Sequence, residues 1–343
     1  SRSSQASFKS VKAFPTNSHM PYLRILGSLL FLWCVSCSPD KEDSMMNLPQ
    51  ESKDPSGDSE EGRHFFEDGS LYEGDLIRGK PDGYGTRVHV NTDVYEGQFR
   101  KGMEHGYGTI RYKSNKALDR YVGTWNSGKM DGFGALVLAD ASRMEGNWRR
   151  GRLDYGDYQG SDGEIKRGKW RGNSLSESYL SEGFSRSSLG DEFYGFFETN
   201  GAFLKGHLQR ANGDLYVGSF RLGKFEGDGI LERTDGTLYV GEFEKGEFSG
   251  TGILTDSDGS TYSGEFLDGL PEGYGVQRDS NGVQYTGSWQ AGLRSGLGLI
   301  DFGDGSSYSG EFRLGLAYEG IYDWGDGRMT NSYQNENGEW SDR

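Results

Sequence analysis

Residues 239–261 read YVGEFEKGEFSGTGILTDSDGST, and residues 262–284 read YSGEFLDGLPEGYGVQRDSNGVQ. Both open on Tyr-x-Gly-x-Phe. In a β-strand, positions i, i+2 and i+4 share one face. Tyr239, Gly241 and Phe243 therefore line one side, as do Tyr262, Gly264 and Phe266. Two rings flank a residue with no side chain, so a neighbouring ring can lie over bare backbone. Seven residues after each Tyr the chain meets Gly again, and a Gly-x-Gly follows.

The pattern extends in both directions. Its first position falls at Tyr72, Tyr95, Tyr121, Met144, Lys166, Phe193, Tyr216, Tyr239, Tyr262, Tyr285 and Tyr308, with seven intervals of 23 residues and others of 26, 22 and 27. Gly stands two positions later in every unit. Four positions later comes a large apolar residue, among them Phe220, Phe243, Phe266 and Trp289. Alternate positions such as Glu73, Asp75, Glu96, Gln98, Thr286 and Ser288 are polar and are expected to face water. Seven positions after the first comes Gly, or Asn at Asn173 and Asn200, which predicts a left-handed backbone there. Asn212-Gly213, Asp235-Gly236, Asp258-Gly259, Asn281-Gly282 and Asp304-Gly305 are expected to close hairpins in type I′ turns.

Composition agrees. Gly numbers 56 and Pro 7, and hydrophobic residues make up 33% with aromatics at 13%. Collagen would need Gly at every third position with abundant Pro, and disordered chains are poor in rings. A formal charge of −15 argues against nucleic acid, which needs a basic footprint. The expectation is an all-β chain that is turn-dense and poor in aliphatic core.

This pattern resembles the MORN repeat (membrane occupation and recognition nexus), over about residues 64–330. The resemblance implies an elongated single-layer antiparallel sheet of stacked hairpins, about eleven units and 22 strands. Each unit would bury its rings against its neighbours. Units at Met144 and Lys166 lack the Tyr, and residues 174–190 hold seven Ser, so an irregular middle is expected near 166–192. His64-Phe65-Phe66 is expected to form an N-terminal cap strand at the start of a domain spanning 64–343, and the polar residues 328–343 a C-terminal cap. Sheet ends invite edge pairing, and so a homodimer.

The N-terminal segment reads differently. Residues 1–36 carry Arg2, Lys9, Lys12 and Arg24 and no acid, so residues 37–343 hold 33 positive and 52 negative charges, or −19. From Met20, Arg24 precedes the apolar run Ile25–Val35, the length of a signal-peptide core and too short to span a bilayer. Cys34-Val35-Ser36-Cys37 resembles the lipobox of bacterial lipoproteins, with Cys34 where Leu is usual. That resemblance implies cleavage before Cys37, a lipid on its sulfur, and, with Ser38 following, sorting to the bacterial outer membrane. Residues 37–63, with acids, three Pro and several Ser, are expected to be a flexible tether.

Chemistry-bearing motifs are few. The His residues are scattered without His-Glu-x-x-His, so no metal site is expected. Asp301-Phe302-Gly303 lacks the phosphate and catalytic loops of a kinase. Asp256-Ser257-Asp258-Gly259 lacks the later ligands of a calcium loop. No enzyme activity and no cofactor are expected. Candidate binding residues are the aromatic face, Tyr216, Phe220, Tyr239, Phe243, Tyr262, Phe266, Tyr285 and Trp289, should part of it stay open. Candidate anion contacts are Arg149, Arg150, Lys166 and Arg167. Two function classes follow: an envelope-anchored scaffold for an unknown protein partner, or direct recognition of lipid or glycan. MORN repeats occur in phosphatidylinositol phosphate kinases, junctophilins and a lysine methyltransferase, whose other domains this sequence lacks. If Cys37 is the anchor, Cys37→Ser releases the protein from membranes or blocks its processing. Fractionation and mass spectrometry of the N-terminal peptide check this; unchanged membrane association without lipid on Cys37 overturns it.

Overall fold

The computed structural model describes residues 59–342. The expected signal peptide, Cys37 and the expected tether as far as residue 58 lie outside the described residues. Twenty-five strands, numbered in chain order from β1 (Ser59–Phe65) to β25 (Trp340–Asp342), form one antiparallel sheet. Every strand pairs with the next in sequence. The eleven units supply β2 (Leu71–Ile77) to β23 (Leu316–Asp323); β1, β24 (Met329–Gln334) and β25 are added at the ends.

One register runs through the sheet. Each strand from β1 to β22 places a Gly opposite a Gly of the next, from Gly62↔Gly74 to Gly310↔Gly320, and the row ends at Gly320↔Ser332. In the eight units that open on Tyr the ring and the facing backbone exclude a side chain, and in the units at Met144, Lys166 and Phe193 the facing strand's backbone carbonyl and glycine Cα close the position. Tyr262 lies across the Gly264–Gly275 pair: a Cβ on Gly264 would stand 2.6 Å from the Tyr262 hydroxyl and 2.6 Å from the Gly275 Cα. Real Cβ atoms do not approach so closely, so the position is closed to any side chain.

The phenol also completes a hydrogen bond that the sheet breaks. In the unit at Tyr262, Gly264 pairs Gly275 but Glu265 pairs Glu272, leaving Gly273 and Tyr274 as a two-residue bulge. Tyr262 Oη donates to the Glu265 carbonyl at 3.0 Å and lies 3.4 Å from the Glu272 carbonyl. The same bond from Tyr to the carbonyl three residues on occurs at Tyr72, Tyr95, Tyr121, Tyr216, Tyr239 and Tyr285. An unpaired buried carbonyl would cost about 1–3 kcal/mol, so the ring and the bulge stabilise each other. The bulge needs Gly273 at φ +65°, a region that disfavours side chains.

Seven units carry this two-residue bulge, at Tyr72, Tyr95, Tyr121, Tyr216, Tyr239, Tyr262 and Tyr285. The units at Met144, Lys166, Phe193 and Tyr308 carry a single extra residue instead. Their second strands have one Gly, with Asp154, Ser181, Leu204 and Tyr318 where the first Gly of Gly-x-Gly would be. None of these four takes a positive φ. The irregular middle therefore continues the sheet with a different hairpin, and its only long connection is residues 172–178 between β10 (Ile165–Arg171) and β11 (Tyr179–Arg186).

The core is a ladder of rings on the glycine side. Tyr239 meets Phe243 edge-on at 5.0 Å and the next unit's Phe266 at 5.2 Å, while Phe248 stacks on it at 3.8 Å. Such pairs add about 0.5–1.5 kcal/mol each beyond burial, and each unit is bonded to the next. Two polar pairs interrupt the ladder. Arg87 bonds the buried Glu104 at 3.2 Å, Asp68 at 2.9 Å and Ser70 at 2.9 Å, beneath the Phe66 ring. Arg294 bonds Gln277 at 2.9 Å at the equivalent site further along.

Three expectations are corrected. The type I′ turns lie inside the units: Leu222-Gly223 has φ 51° and 74°, and eight other Xaa-Gly pairs behave likewise. At Asp235-Gly236 only the Gly has positive φ, its N–H bonding the Arg233 carbonyl at 3.0 Å, which is a type I turn closed by a glycine bulge. Asn173 and Asn200 are not left-handed; Gly172 and Gly201 beside them have positive φ instead. The cap strand starts at Ser59, inside the segment expected to be tether, because Gly62 joins the glycine row beneath Leu76.

Two outcomes follow from this packing. Gly264→Val should cost about 1–3 kcal/mol as overpacking does, and Ser263→Val on the exposed face within about 0.5 kcal/mol; equilibrium unfolding of the full chain compares them, and equal effects overturn the face assignment. Burial is the first cause that pushes the phenols of Tyr216, Tyr239, Tyr262 and Tyr285 from 10.0 up to about 12. The fold thus holds these protons more tightly than the unfolded chain. Their contribution is complete below pH 10 and is lost as pH rises through about 12. Tyrosinate absorbance should appear together with loss of the strand signal in that window; phenols titrating in an intact sheet would contradict the packing.

Candidate functional site

The expected aromatic face is closed. Tyr216, Phe220, Tyr239, Phe243, Tyr262, Phe266, Tyr285 and Trp289 are between 0% and 7% exposed. They form the ladder, and none offers a ring face to a ligand. A single layer covers its rings because each Tyr is overlaid by the next unit's Phe or Trp.

The four basic residues do not converge. Lys166 bonds Glu164 at 2.8 Å on the ring side, near Tyr158. Arg167 points the other way and grips Asp157 through Nε and Nη2 at 2.7–3.0 Å. Arg149 and Arg150 are exposed at the end of β8 (Arg143–Arg149) and in its turn. The positive charge of the middle is thus half neutralised in place.

Open apolar surface lies on the opposite face, where polar residues were expected. Cross-strand pairing sets Phe184, Tyr194, His207, Val217, Ile230, Val240 and Ile253 in one row from β11 to β17 (Glu247–Thr255). At about 4.8 Å per strand the row runs about 30 Å. Tyr194 is 40% exposed, Val217 41%, Ile230 42%, Val240 42% and Ile253 51%. Phe184 and Tyr194 pack at 4.6 Å. The row is local. Towards the N-terminus the same positions hold Glu73, Thr86, Glu96 and Thr109, then Val122, Ala135, Glu145, Asp157 and Arg167. Towards the C-terminus Ser263, Thr286 and Ser309 alternate with Val276, Leu299 and Ile321.

The row lines an open groove of about 680 Å³, with Tyr194, Phe196, Lys205, His207, Val217, Asp228, Ile230 and Val240 on its walls and paired glycines on its floor. Beside it, Glu242 pairs Asp228 across the strands, so that flank is acidic. Glu242 is not a free surface charge: its carboxylate accepts the Thr251 N–H at 3.1 Å and hydroxyl at 3.0 Å, holding the bulge. Asp75 does the same for Tyr84 N–H at 2.8 Å. The groove was legible in part, since Val217, Ile230, Val240 and Ile253 replace the polar residues of the first units; their alignment into one row was not.

The MORN repeat family model matches residues 72–94, 95–116, 121–143, 216–238, 239–261, 262–284 and 285–307. The chain carries MORN repeats at these seven positions, the same seven hairpins that hold the two-residue bulge. No curated protein matches the chain. Among solved structures, the TCP10 domain of Danio rerio CPAP in complex with a peptide of Danio rerio STIL is 13% identical, covering 65% of this chain and 96% of that one at a TM-score of 0.31. The SAS-4 (dCPAP) TCP domain of Drosophila melanogaster, in complex with a proline-rich motif of Ana2 (dSTIL), is 13% identical, covering 57% and 99% at a TM-score of 0.23. At such scores these likenesses carry no argument about function.

Proposed function

We propose that this chain is a non-catalytic interaction scaffold that holds a protein partner in the outer-face groove. The observation that supports it is the apolar row from Phe184 to Ile253, half exposed on a sheet whose other face is closed. Apolar strips of this kind mark interaction surfaces. The partner's chemistry follows from the walls: apolar side chains seated on Val217, Ile230 and Val240, with neutral or basic residues against Asp228 and Glu242. In the same proposal the segment from Met20 exports the protein, and Cys37 tethers it to the cell envelope at the bacterial outer membrane. The support for the anchor is the sequence alone.

The test is crosslinking in native envelope with the full chain. Wild type should capture a protein that the Ile230→Lys/Val240→Lys double variant loses by tenfold or more, while Thr286→Lys, outside the groove, retains it. Flotation with vesicles distinguishes the other function class. Salt-sensitive binding to anionic but not neutral vesicles, lost on replacing Arg149 and Arg150, would assign lipid recognition instead.

A further inference from the structure

The sheet has two ends, and they differ. β25 is three residues long. Short edge strands resist pairing. β1 is seven residues long, reads SEEGRHF, contains no Pro, and has β2 on one side only among the described residues. Among the described residues nothing pairs with its other edge, whose backbone groups are a template for another strand.

The charges on β1 choose which strand. Gly62 sits in the glycine row opposite Gly74, with Glu61 before it and Arg63 after it. Arg63 reaches Glu73 of β2 at 2.5 Å, whereas Glu61 is set opposite Asp75, a like charge. Glu61 has no ion-pair partner among the described residues, so an incoming strand that brings a cation beside it removes a repulsion.

We propose that the open edge of β1 pairs with the same edge of a second copy, antiparallel, about a two-fold axis at Gly62. This register sets Gly62 opposite the partner's Gly62 and continues the glycine row. It sets Glu61 opposite the partner's Arg63, and Glu60 opposite the partner's His64, twice each by symmetry. Moving the axis to Glu61 or to Arg63 sets like charges face to face, so the charges select one register.

The sheet already contains this contact. Between β9 (Arg152–Gln159) and β10, Gly156 pairs Gly168, and Asp157 after one glycine faces Arg167 before the other. Their side chains close a two-pronged bridge at 2.7–3.0 Å. Glu61 and the partner's Arg63 likewise flank a glycine pair on the outer face, with acid and base exchanged about the two glycines. A two-fold axis normal to the sheet at β1 keeps the outer faces of the two joined strands on one side, and the dimer carries two grooves for a repeated or dimeric partner. The pairing does not depend on the groove reading, since the groove variants leave β1 unchanged.

The experiment is sedimentation velocity of the full chain over a concentration series, with charge reversals. Wild type should form a discrete dimer. Glu61→Arg and Arg63→Glu should each weaken it about tenfold or more, because each sets like charges opposite one another. An equimolar mixture of the two single variants should recover a dimer, and so should the double reversal in one chain; a misfolded variant could do neither. A monomer at every concentration overturns the proposal and fits an edge covered by the chain's own preceding residues. A dimer indifferent to these reversals, or growth beyond the dimer by joining β1 to β25, overturns it as well.

Discussion

Most of this sheet is built on one contact, a tyrosine ring laid flat across two paired glycines. The ring needs the absence of two side chains, one on its own strand and one on the next. Its hydroxyl then reaches the carbonyl that a bulge has left without a ladder partner. The bulge in turn needs a glycine with positive φ. Ring, glycine pair and two-residue bulge support one another as one device in seven units, whereas Tyr308 keeps its ring, glycine pair and carbonyl bond over a one-residue bulge. One Gly per strand recurs with so little variation because ring and facing backbone, or the backbone alone, leave no room for a Cβ, while the outer face varies freely.

The device also explains how a single layer forms a core. A sheet exposed on both faces cannot ordinarily bury enough apolar surface. Here the missing glycine side chains let each ring sink onto the backbone, where the next unit's ring covers it edge-on. Burial is complete for Tyr239, Tyr285 and Tyr308 without a second layer. Where the Tyr is absent, at Met144, Lys166 and Phe193, a one-residue bulge takes over, with aliphatic packing at Leu153 and Leu180 and stacked rings at Phe193 and Phe203. The strands continue because the glycine row does not break there.

Closing one face leaves the other free for function. The outer face takes no part in the ring ladder, so its residues can change from unit to unit. Acids and amides near the bulges are held by backbone N–H groups. The positions between them run from Glu and Thr in the first units to Val and Ile in β14 (Leu215–Arg221) through β17. A repeat array can therefore carry one local site on an otherwise uniform frame. MORN repeats supply the frame, and the sequence differences between repeats supply the groove.

The sequence by itself determined the repeat, its period, the ring-bearing strand face and the left-handed glycines, because each is set by residues a few positions apart. It also held the difference between the two hairpin types, written as Gly-x-Gly against a lone Gly, although only the bulge geometry gives that difference meaning. It misplaced the I′ turns, since Asp-Gly suits two turn types and the neighbouring hydrogen bonds decide between them. It left the aromatic rows open as a ligand surface, because composition does not say which rings cover which. Tertiary structure alone decided that Tyr216 and its equivalents are sealed and that Val217 aligns with Ile230 and Val240. The physical reason is that burial and cross-strand alignment depend on the register between strands more than ten residues apart, which the glycine row fixes only once the sheet has formed.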